Sequence, residues 1–459
     1  MLNIRNKAML PLLIGGLLIA LPACAGSSGG GNGESKGSGG GSPAAGSASD
    51  APPAPLKEPV EIVFKDVSFG WTPEKFMDNY GNAIAKKFPH VTVKALPYAG
   101  QPGGMWIPEL IAAGQPIDIL FSSGAAVHGN ILANKLQYDM TPLIKKYKYD
   151  LNRLEPSAVA LAMQLANGGI YGLPGIGAAS PLVYNKDIFD KFGVPYPKDG
   201  MNWDEFYELA RKLTRTENGI QYRGAIVNAS GMILRNPFSL GFIDPSSEKA
   251  NFQNDNWKVL FDKMASIYKI PGNELTAAQV SVAEQRKLWE KDKTVAMYLP
   301  ISGSGASELT FAGMNYDFVS MPTFKELPNV GPQPYSTAFY ISVSSKHKDQ
   351  AFEILQYLTS DEFQMEKSKQ GTLTVLKSQA VRDAFGKDLP AFTGKNLKAL
   401  LPEKFAPAPY QSQYNGTAFN ELIKGFNNLI LGKQDVNTAI RQAEEETNKK
   451  IAEDKAKVK

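Results

Sequence analysis

Residues 91–123 read VTVKALPYAGQPGGMWIPELIAAGQPIDILFSS. Val91 to Leu96 alternates as a strand does. MWIPELIAAG reads as a short helix ended by Gly114, and Ile117 to Ser123 as a strand buried on both faces by its apolar run. Just upstream, VEIVF (Val60 to Phe64) is again β-like. An amphipathic stretch around Glu74 to Lys87 separates it from Val91. Strand, helix, strand, helix, strand is the pattern of an α/β layer with a largely parallel sheet.

The pattern continues downstream. LVYN (Leu182 to Asn185) is a short strand, and MNWDEFYELARKL is a helix with a readable start. Asn202 can cap it and Glu205 can close a capping box. Asp204 and Glu205 suit the positive end of its dipole. Phe206, Leu209, Ala210 and Leu213 make its apolar face. YRGAIV, TVAMYLP, YDFVSMP and AFYISVS read as further strands. A last helix from about Asp435 puts Val436, Ala439, Ile440, Ala443, Thr447 and Ile451 on one stripe. No fixed-period repeat is present.

The amino terminus reads differently. Arg5 and Lys7 precede an apolar run from Met9 to Leu21, too short for a bilayer span of about 20 residues. Leu21-Pro22-Ala23-Cys24 follows, and the whole resembles a bacterial lipoprotein signal. Residues 1–23 would be removed and Cys24, the single cysteine, lipidated. One cysteine excludes a disulfide within the chain. Residues 24–57 are rich in Gly, Ser, Ala and Pro, too poor in apolar groups to offset the entropy of ordering. They would form a disordered tether with a span of roughly 30 Å, anchored to the outer face of a cell membrane.

About 400 of the 459 residues remain, more than one ordinary core and enough for two lobes. A hydrophobic content of 43% and a charged content of 20% are those of a globular protein. Net charge is only +4, and no basic, aromatic-interleaved patch supports nucleic-acid binding.

With these elements in order, the chain resembles a known family. GGIYGLPGIGAASPLVYNKDIFDKFGVPYP (residues 168–197) followed by NWDEF resembles the extracellular solute-binding proteins of ABC importers, in particular the maltose- and oligosaccharide-binding group. AAGQPIDILF, LWEKDKTVAMYLP, YDFVSMPTFKE and SSKHKDQAFEILQYLTSDEFQ agree with it in order. The resemblance runs from about Val60 to Ile451. It implies two Rossmann-like lobes joined by a multi-strand hinge, the type II periplasmic-binding-protein architecture. Lobe 1 would hold 58–178 with 336–365, and lobe 2 would hold 182–330 with 370–459. It implies a monomer that binds an oligosaccharide and hands it to the transmembrane subunits of an ABC permease, with no catalysis, cofactor or metal. A sensor subunit presenting the sugar to a membrane kinase and a secreted carbohydrate hydrolase are the alternatives.

Two departures matter. Where maltose-type binders carry tryptophan, this chain has Ser122-Ser123 and ISGSG (Ile301 to Gly305), which argues against maltose itself. Asp292-Lys293 replaces the family's Gly-Lys, so the turn there must differ.

Sugars need aromatic faces for their C–H side and polar groups for their hydroxyls, because a buried unpaired hydroxyl costs about 1–3 kcal/mol. Trp71 follows the first strand in a Gly-containing loop and is either a stacking wall or a cap on the first helix. Trp106 is a cleft, rim or core residue. Ser122, Ser123, Ser302 and Ser304 are hydroxyl partners. By resemblance Ala178, Ser180, Tyr335, Ser336, Tyr410, Tyr414 and Phe419 join them. Trp203, Trp257 and Trp289 sit inside helical patterns and belong to the core. Of the three histidines, His90 and His347 lie away from the expected cleft loops. Only His128 lies near one.

Overall fold

The computed structural model describes residues 53–300 and 309–457. Two five-stranded sheets carry the fold. The first runs β2–β1–β3–β11–β4, where β1 is Val60–Asp66, β2 Val91–Leu96, β3 Ile119–Ser123, β4 Gly172–Ile176 and β11 Thr337–Ile341. The second runs β6–β7–β8–β5–β9, where β5 is Leu182–Asn185, β6 Arg215–Glu217, β7 Ile220–Val227, β8 Val295–Leu299 and β9 Tyr316–Val319. A two-stranded ladder of β10 (Val330–Gly331) and β12 (Lys404–Phe405) lies apart from both.

β1 is parallel to β2 and β3, while β11 is antiparallel to β3 and to β4. In the second sheet β7 and β8 are parallel, and β5 runs against β8 and β9. It follows that Asp66, Leu96, Ser123 and Ile176 end strands at one edge of the first sheet. Val227, Leu299 and Val319 do so at one edge of the second. Residues 177–181 connect Ile176 to Leu182, which pairs with Val319 at that second edge. The six Cα-to-Cα steps from Ile176 to Leu182 span at most about 22 Å, so the two carboxyl edges lie close together, joined by this crossing.

Residues 332–336 cross a second time, from β10 to β11. After 370 the chain still packs on the first core through Val375, Leu376 and Val381, and joins the second with Phe385, Phe392, Ala399 and Leu400. At this third passage Gly177 donates its N–H to Leu373 O at 2.8 Å. A Cβ on Gly177 would lie 2.6 Å from Thr374 O, a backbone atom that cannot yield, so the crossing requires glycine there.

The elements form for local reasons. Asn202 accepts the N–H groups of Asp204 (2.9 Å) and Glu205 (3.1 Å), and Glu205 accepts that of Asn202 (2.8 Å), which closes the capping box on Trp203–Leu213. Trp203, Phe206, Ala210 and Leu213 are buried on its inner face. Trp257 and Trp289 are fully buried in the same core. The final helix, Val436–Lys457, buries Ala439, Ile440, Ala443, Thr447 and Ile451. At the turn where the family's glycine is absent, Lys293 takes φ 53°. A lysine there accepts the strain of a left-handed residue.

Among the described residues no helix is long and apolar enough to cross a membrane. The signal segment, Cys24, and with them Ser302 and Ser304, lie outside the described residues. Of the expected tether only 53–57 is described. It has no helix or strand, yet it is not wholly free of the fold: the Leu56 N–H donates to Glu353 Oε1 at 3.2 Å.

Candidate functional site

In open α/β sheets ligands collect beyond the carboxyl ends of strands. Here two such edges are joined by three passages of chain.

At the first edge everything turns on Asp66, the last residue of β1, only 4% exposed. Its Oδ1 accepts the N–H groups of Ser68 (2.8 Å) and Phe69 (3.0 Å), and its Oδ2 accepts that of Trp71 (2.9 Å). Three backbone donors on one carboxylate fold residues 67–71 into a compact loop. Ser68 Oγ then accepts the Ser123 N–H at 2.8 Å, which ties this loop to the end of β3. Gln101 Nε2 donates to Gly70 O at 2.8 Å and brings in the loop that leads to Trp106.

The loop displays an aromatic stack. Phe69 lies 4.6 Å from Trp71 and 5.2 Å from Phe121, both stacked, and Trp71 lies 5.9 Å from Tyr80. Trp71 is half-buried and packs on the first core. Phe69, also half-buried, was not singled out by sequence. The spacing Phe69-Gly70-Trp71 beside a strand end was its only signal. Trp106 is 61% exposed at the start of helix Ile107–Ala112 and does not join the stack or the core.

At the second edge Asn228 follows β7. Its Nδ2 donates to Pro300 O at 3.0 Å and its Oδ1 accepts the Gly231 N–H at 3.2 Å. It thus ties β7 to β8 and caps helix Ala229–Leu234.

Between the edges runs a polar network centred on Gln411, 6% exposed. Its Nε2 donates to the Tyr335 hydroxyl and to Pro409 O, both at 2.9 Å, and its Oε1 accepts from Asn415 Nδ2 at 2.9 Å. Its carbonyl pairs with His128 Nε2 at 3.0 Å. His128 opens the π-helical turn His128–Leu132 after β3 in the first lobe, while Gln411 leads into helix Asn415–Ile430, which packs in the second core. The network therefore holds the two lobes to each other. Burial lowers the His128 pKa, and the bond to Gln411 counters this only in part. Burial pushes the Tyr335 hydroxyl up to about 12, opposed by the Gln411 bond and by Arg235. Neither Gln411 nor Asp66 carries a sequence signal of its role; both act through partners that only the fold supplies.

Several expected site residues are placed otherwise. Ser122 has no exposed surface, and its Oγ bonds Ser123 O at 3.3 Å. It lies within the β3–β11 pairing opposite Ala338, and so is no free hydroxyl. Ser123 alone of that pair is half-exposed. Ala178, Ser180, Tyr335 and Ser336 lie in the crossing segments and are all buried. Phe419 packs on the second core, 6.3 Å from Phe242, and Tyr414 packs on it with Lys455 Nζ 5.8 Å from its ring. Tyr410 is the exposed aromatic of its segment. Among the described residues no group of three or more His, Cys, Asp or Glu is placed to hold a metal.

Residues 70–365 match the family described as bacterial extracellular solute-binding protein. A protein of Brucella abortus (strain 2308) named as a binding protein is 24% identical over 306 residues, covering 62% of this chain and 68% of its own. Among solved structures, a sugar transporter from Rhizobium etli in an open conformation has TM-score 0.69 at 18% identity, covering 84% of this chain and 98% of its own. An ABC substrate-binding protein from Listeria monocytogenes in complex with cycloalternan has TM-score 0.67 at 18% identity, covering 86% and 100%. The sugar-binding protein of Xanthomonas citri has TM-score 0.65 at 17% identity, covering 86% and 98%. At such identities the likeness is one of fold: two α/β lobes joined by crossing segments, in the type II periplasmic-binding-protein arrangement.

Proposed function

Since the chain belongs to the bacterial extracellular solute-binding proteins, a family of binding proteins rather than enzymes, we propose that its solute is an uncharged or weakly charged oligosaccharide, taken between the two carboxyl edges and passed to an ABC permease. The observation that carries this reading is the pairing of the Phe69–Trp71 stack on one edge with the Gln411 network that spans to the other. A sugar ring needs such an apolar face and such polar partners together. The Rhizobium protein's name as a sugar transporter, the Listeria protein's complex with cycloalternan and the Xanthomonas protein's name as a sugar-binding protein support the same class.

The lobes of this reading are 58–178 with 336–365, and 182–330 with 370–459. The packing of Val375, Leu376 and Val381 adds a short return to the first lobe. The lobes close on the sugar by hinge motion about the crossings. Cys24 carries the lipid anchor, residues from Ala25 to the Leu56 tie form the tether, and the receptor works as a monomer on the outer face of the membrane.

A thermal-shift screen against plant and bacterial oligosaccharides tests it. A ligand at 100 times its Kd adds about 2.7 kcal/mol of stability. A screen in which charged amino acids or peptides raise the melting temperature and no oligosaccharide does would overturn the sugar assignment. Mass spectrometry of the mature chain checks the anchor: a diacylated or triacylated Cys24 is expected at its amino terminus, and an unmodified start elsewhere would refute it.

A further inference from the structure

Lys65 is a cation inside β1, only 2% exposed. Burying an ammonium group is costly unless it is well paired. Among the described residues its one hydrogen bond is to Pro97 O, at 2.5 Å. Burial lowers its pKa, and the charge of Asp66 counters this only in part. Lys65 faces Leu96, the last residue of β2, in the β1–β2 register. The bond to Pro97 therefore lies at the carboxyl edge of the first sheet, where the chain leaves β2 and where solutes collect.

That bond holds the start of the loop 97–104. Two successive turns shape the loop: the Gln101 N–H donates to Tyr98 O at 3.1 Å, and the Gly104 N–H to Gln101 O at 2.8 Å. A Cβ on Gly104 would lie 1.9 Å from Tyr98 O, so the second turn needs glycine. Gln101 Nε2, donating to Gly70 O at 2.8 Å, is a second tie to the first edge. All of these bonds fix the loop's backbone, and none uses the Tyr98 side chain. Tyr98 is half-buried. Its ring pairs with no other aromatic ring, and its hydroxyl forms no hydrogen bond, among the described residues. The ring stands beside Gly70, the residue between Phe69 and Trp71: a Cβ built at Gly70 would lie 3.8 Å from Tyr98 Cδ1 and Cε1.

We propose that Tyr98 is a specificity-determining residue of the cleft, a third aromatic beside Phe69 and Trp71 whose hydroxyl bonds a sugar hydroxyl, and that Lys65 and Gln101 are the positioning residues that hold it there. This role rests on the sugar reading given above. Tyrosine has an apolar body and a polar tip, so one side chain meets both needs of a sugar. The Phe69 side chain has no polar atom; Tyr98 adds a hydroxyl that can donate and accept at the edge of the same wall. Cover for Gly70 alone would be served as well by phenylalanine, whereas a sugar contact uses the hydroxyl. A similar logic applies to Lys65. An apolar side chain of its length would fill the same space without the cost of desolvation, so what the ammonium adds is a fixed Pro97 carbonyl.

Calorimetric titration of the full chain in detergent with maltotriose, cellotriose, xylotriose and mannotriose tests both roles. Circular dichroism melting establishes that each variant is folded. For a trisaccharide that the parent binds, Tyr98→Phe should weaken binding about two- to tenfold, the share of one neutral hydrogen bond. Lys65→Met keeps the stem and removes the donor, and Gln101→Ala removes the second tie. In either background Tyr98→Phe should cost clearly less than in the parent, because a tyrosine no longer held in place makes a poorer contact. A lysine with only a structural role would show no such coupling. Equal binding by parent and Tyr98→Phe overturns the Tyr98 contact and leaves the sugar reading standing. A Tyr98→Phe loss of the same size in all three backgrounds overturns the positioning roles. No binding of any of the trisaccharides by the parent overturns the contact together with the sugar reading, so the failures separate.

Discussion

Residues 67–72 and 407–419 both carry aromatic side chains that the sequence offers as ligand contacts, and the molecule builds these two segments by opposite means. The first is folded from within: one carboxylate gathers three N–H groups within five residues, and the aromatic rings stack on one another and on the adjoining core. The second is held from without. Gln411 reaches Tyr335, 76 residues away, and His128, 283 residues away, and has little of its own besides Pro409 and Asn415. A loop of the first kind is preorganised whatever the lobes do. A segment of the second kind keeps some local bonds, Tyr414 N–H to Ser412 Oγ and Ser412 N–H to Asn415 Oδ1, both at 3.2 Å, but its long-range ties run to other parts of the fold, so it is where opening and closing should be felt.

Asp66→Ala should break that contrast most severely. It removes the acceptor for three backbone donors at a site 4% exposed, and each buried donor left without a partner costs about 1–3 kcal/mol. A loss of about 4 kcal/mol in urea unfolding is expected, since water will satisfy some of the freed groups. Asp66→Asn keeps an acceptor oxygen and should lose less. If Asp66→Ala unfolds at the wild-type midpoint, the loop is not organised by that carboxylate.

Next in size is Trp71→Ala, which should weaken oligosaccharide binding by about 2 kcal/mol, as truncation of a central aromatic anchor does. Phe69→Ala should lose a similar amount because the two rings stack at 4.6 Å. Calorimetry with an identified ligand checks both. Unchanged affinity in the two variants would move the stacking wall to Tyr410, the exposed aromatic of the other loop.

Gln411→Ala removes the amide bonds to Tyr335 and Asn415 but keeps the backbone carbonyl that His128 uses. About 1–2 kcal/mol of stability should go with neutral bonds of this kind. Hydrogen exchange should rise in 407–419 and around Tyr335 and leave 67–71 as it was. Equal deprotection of both loops would erase the distinction drawn between them.

The contrast also explains what could be read in advance. Alternating strands, the Asn202–Glu205 capping box and the stripe of the last helix are local patterns, and local forces set them. The aromatic loop was partly legible, because Trp71 sits next to the strand that anchors it. Ser122 was misread since polarity alone does not say which way a β residue points, and pairing of β3 with β11 buries it. Gln411 could not be read at all: its partners lie on other segments, and a glutamine before a helix looks like many others. Lys293 shows a third case, a positive φ without the glycine that would announce it.

The smallest effect expected is a pH dependence carried by His128. Burial lowers its pKa in the folded chain, so the unfolded chain, with a histidine titrating near 6.5, takes up the proton more readily. By linkage, stability then rises with pH wherever the unfolded state binds more protons. The contribution is complete above about pH 6.5 and is lost as pH falls from there through the lowered folded value. Protonation need not break the bond, because Nε2–H donates to the Gln411 carbonyl in either form; what acid adds is a charge in a half-buried site. Opening the lobes would hydrate that charge, so acid should favour the open form as well as the unfolded one. Melting temperatures of wild type and His128→Gln, compared at each pH, cancel the other titrating groups. The wild type should fall relative to the variant below about pH 6.5 and run parallel to it above. A constant difference across that range would mean that His128 does not titrate differently in the folded chain, and that the tie to Gln411 is indifferent to acid.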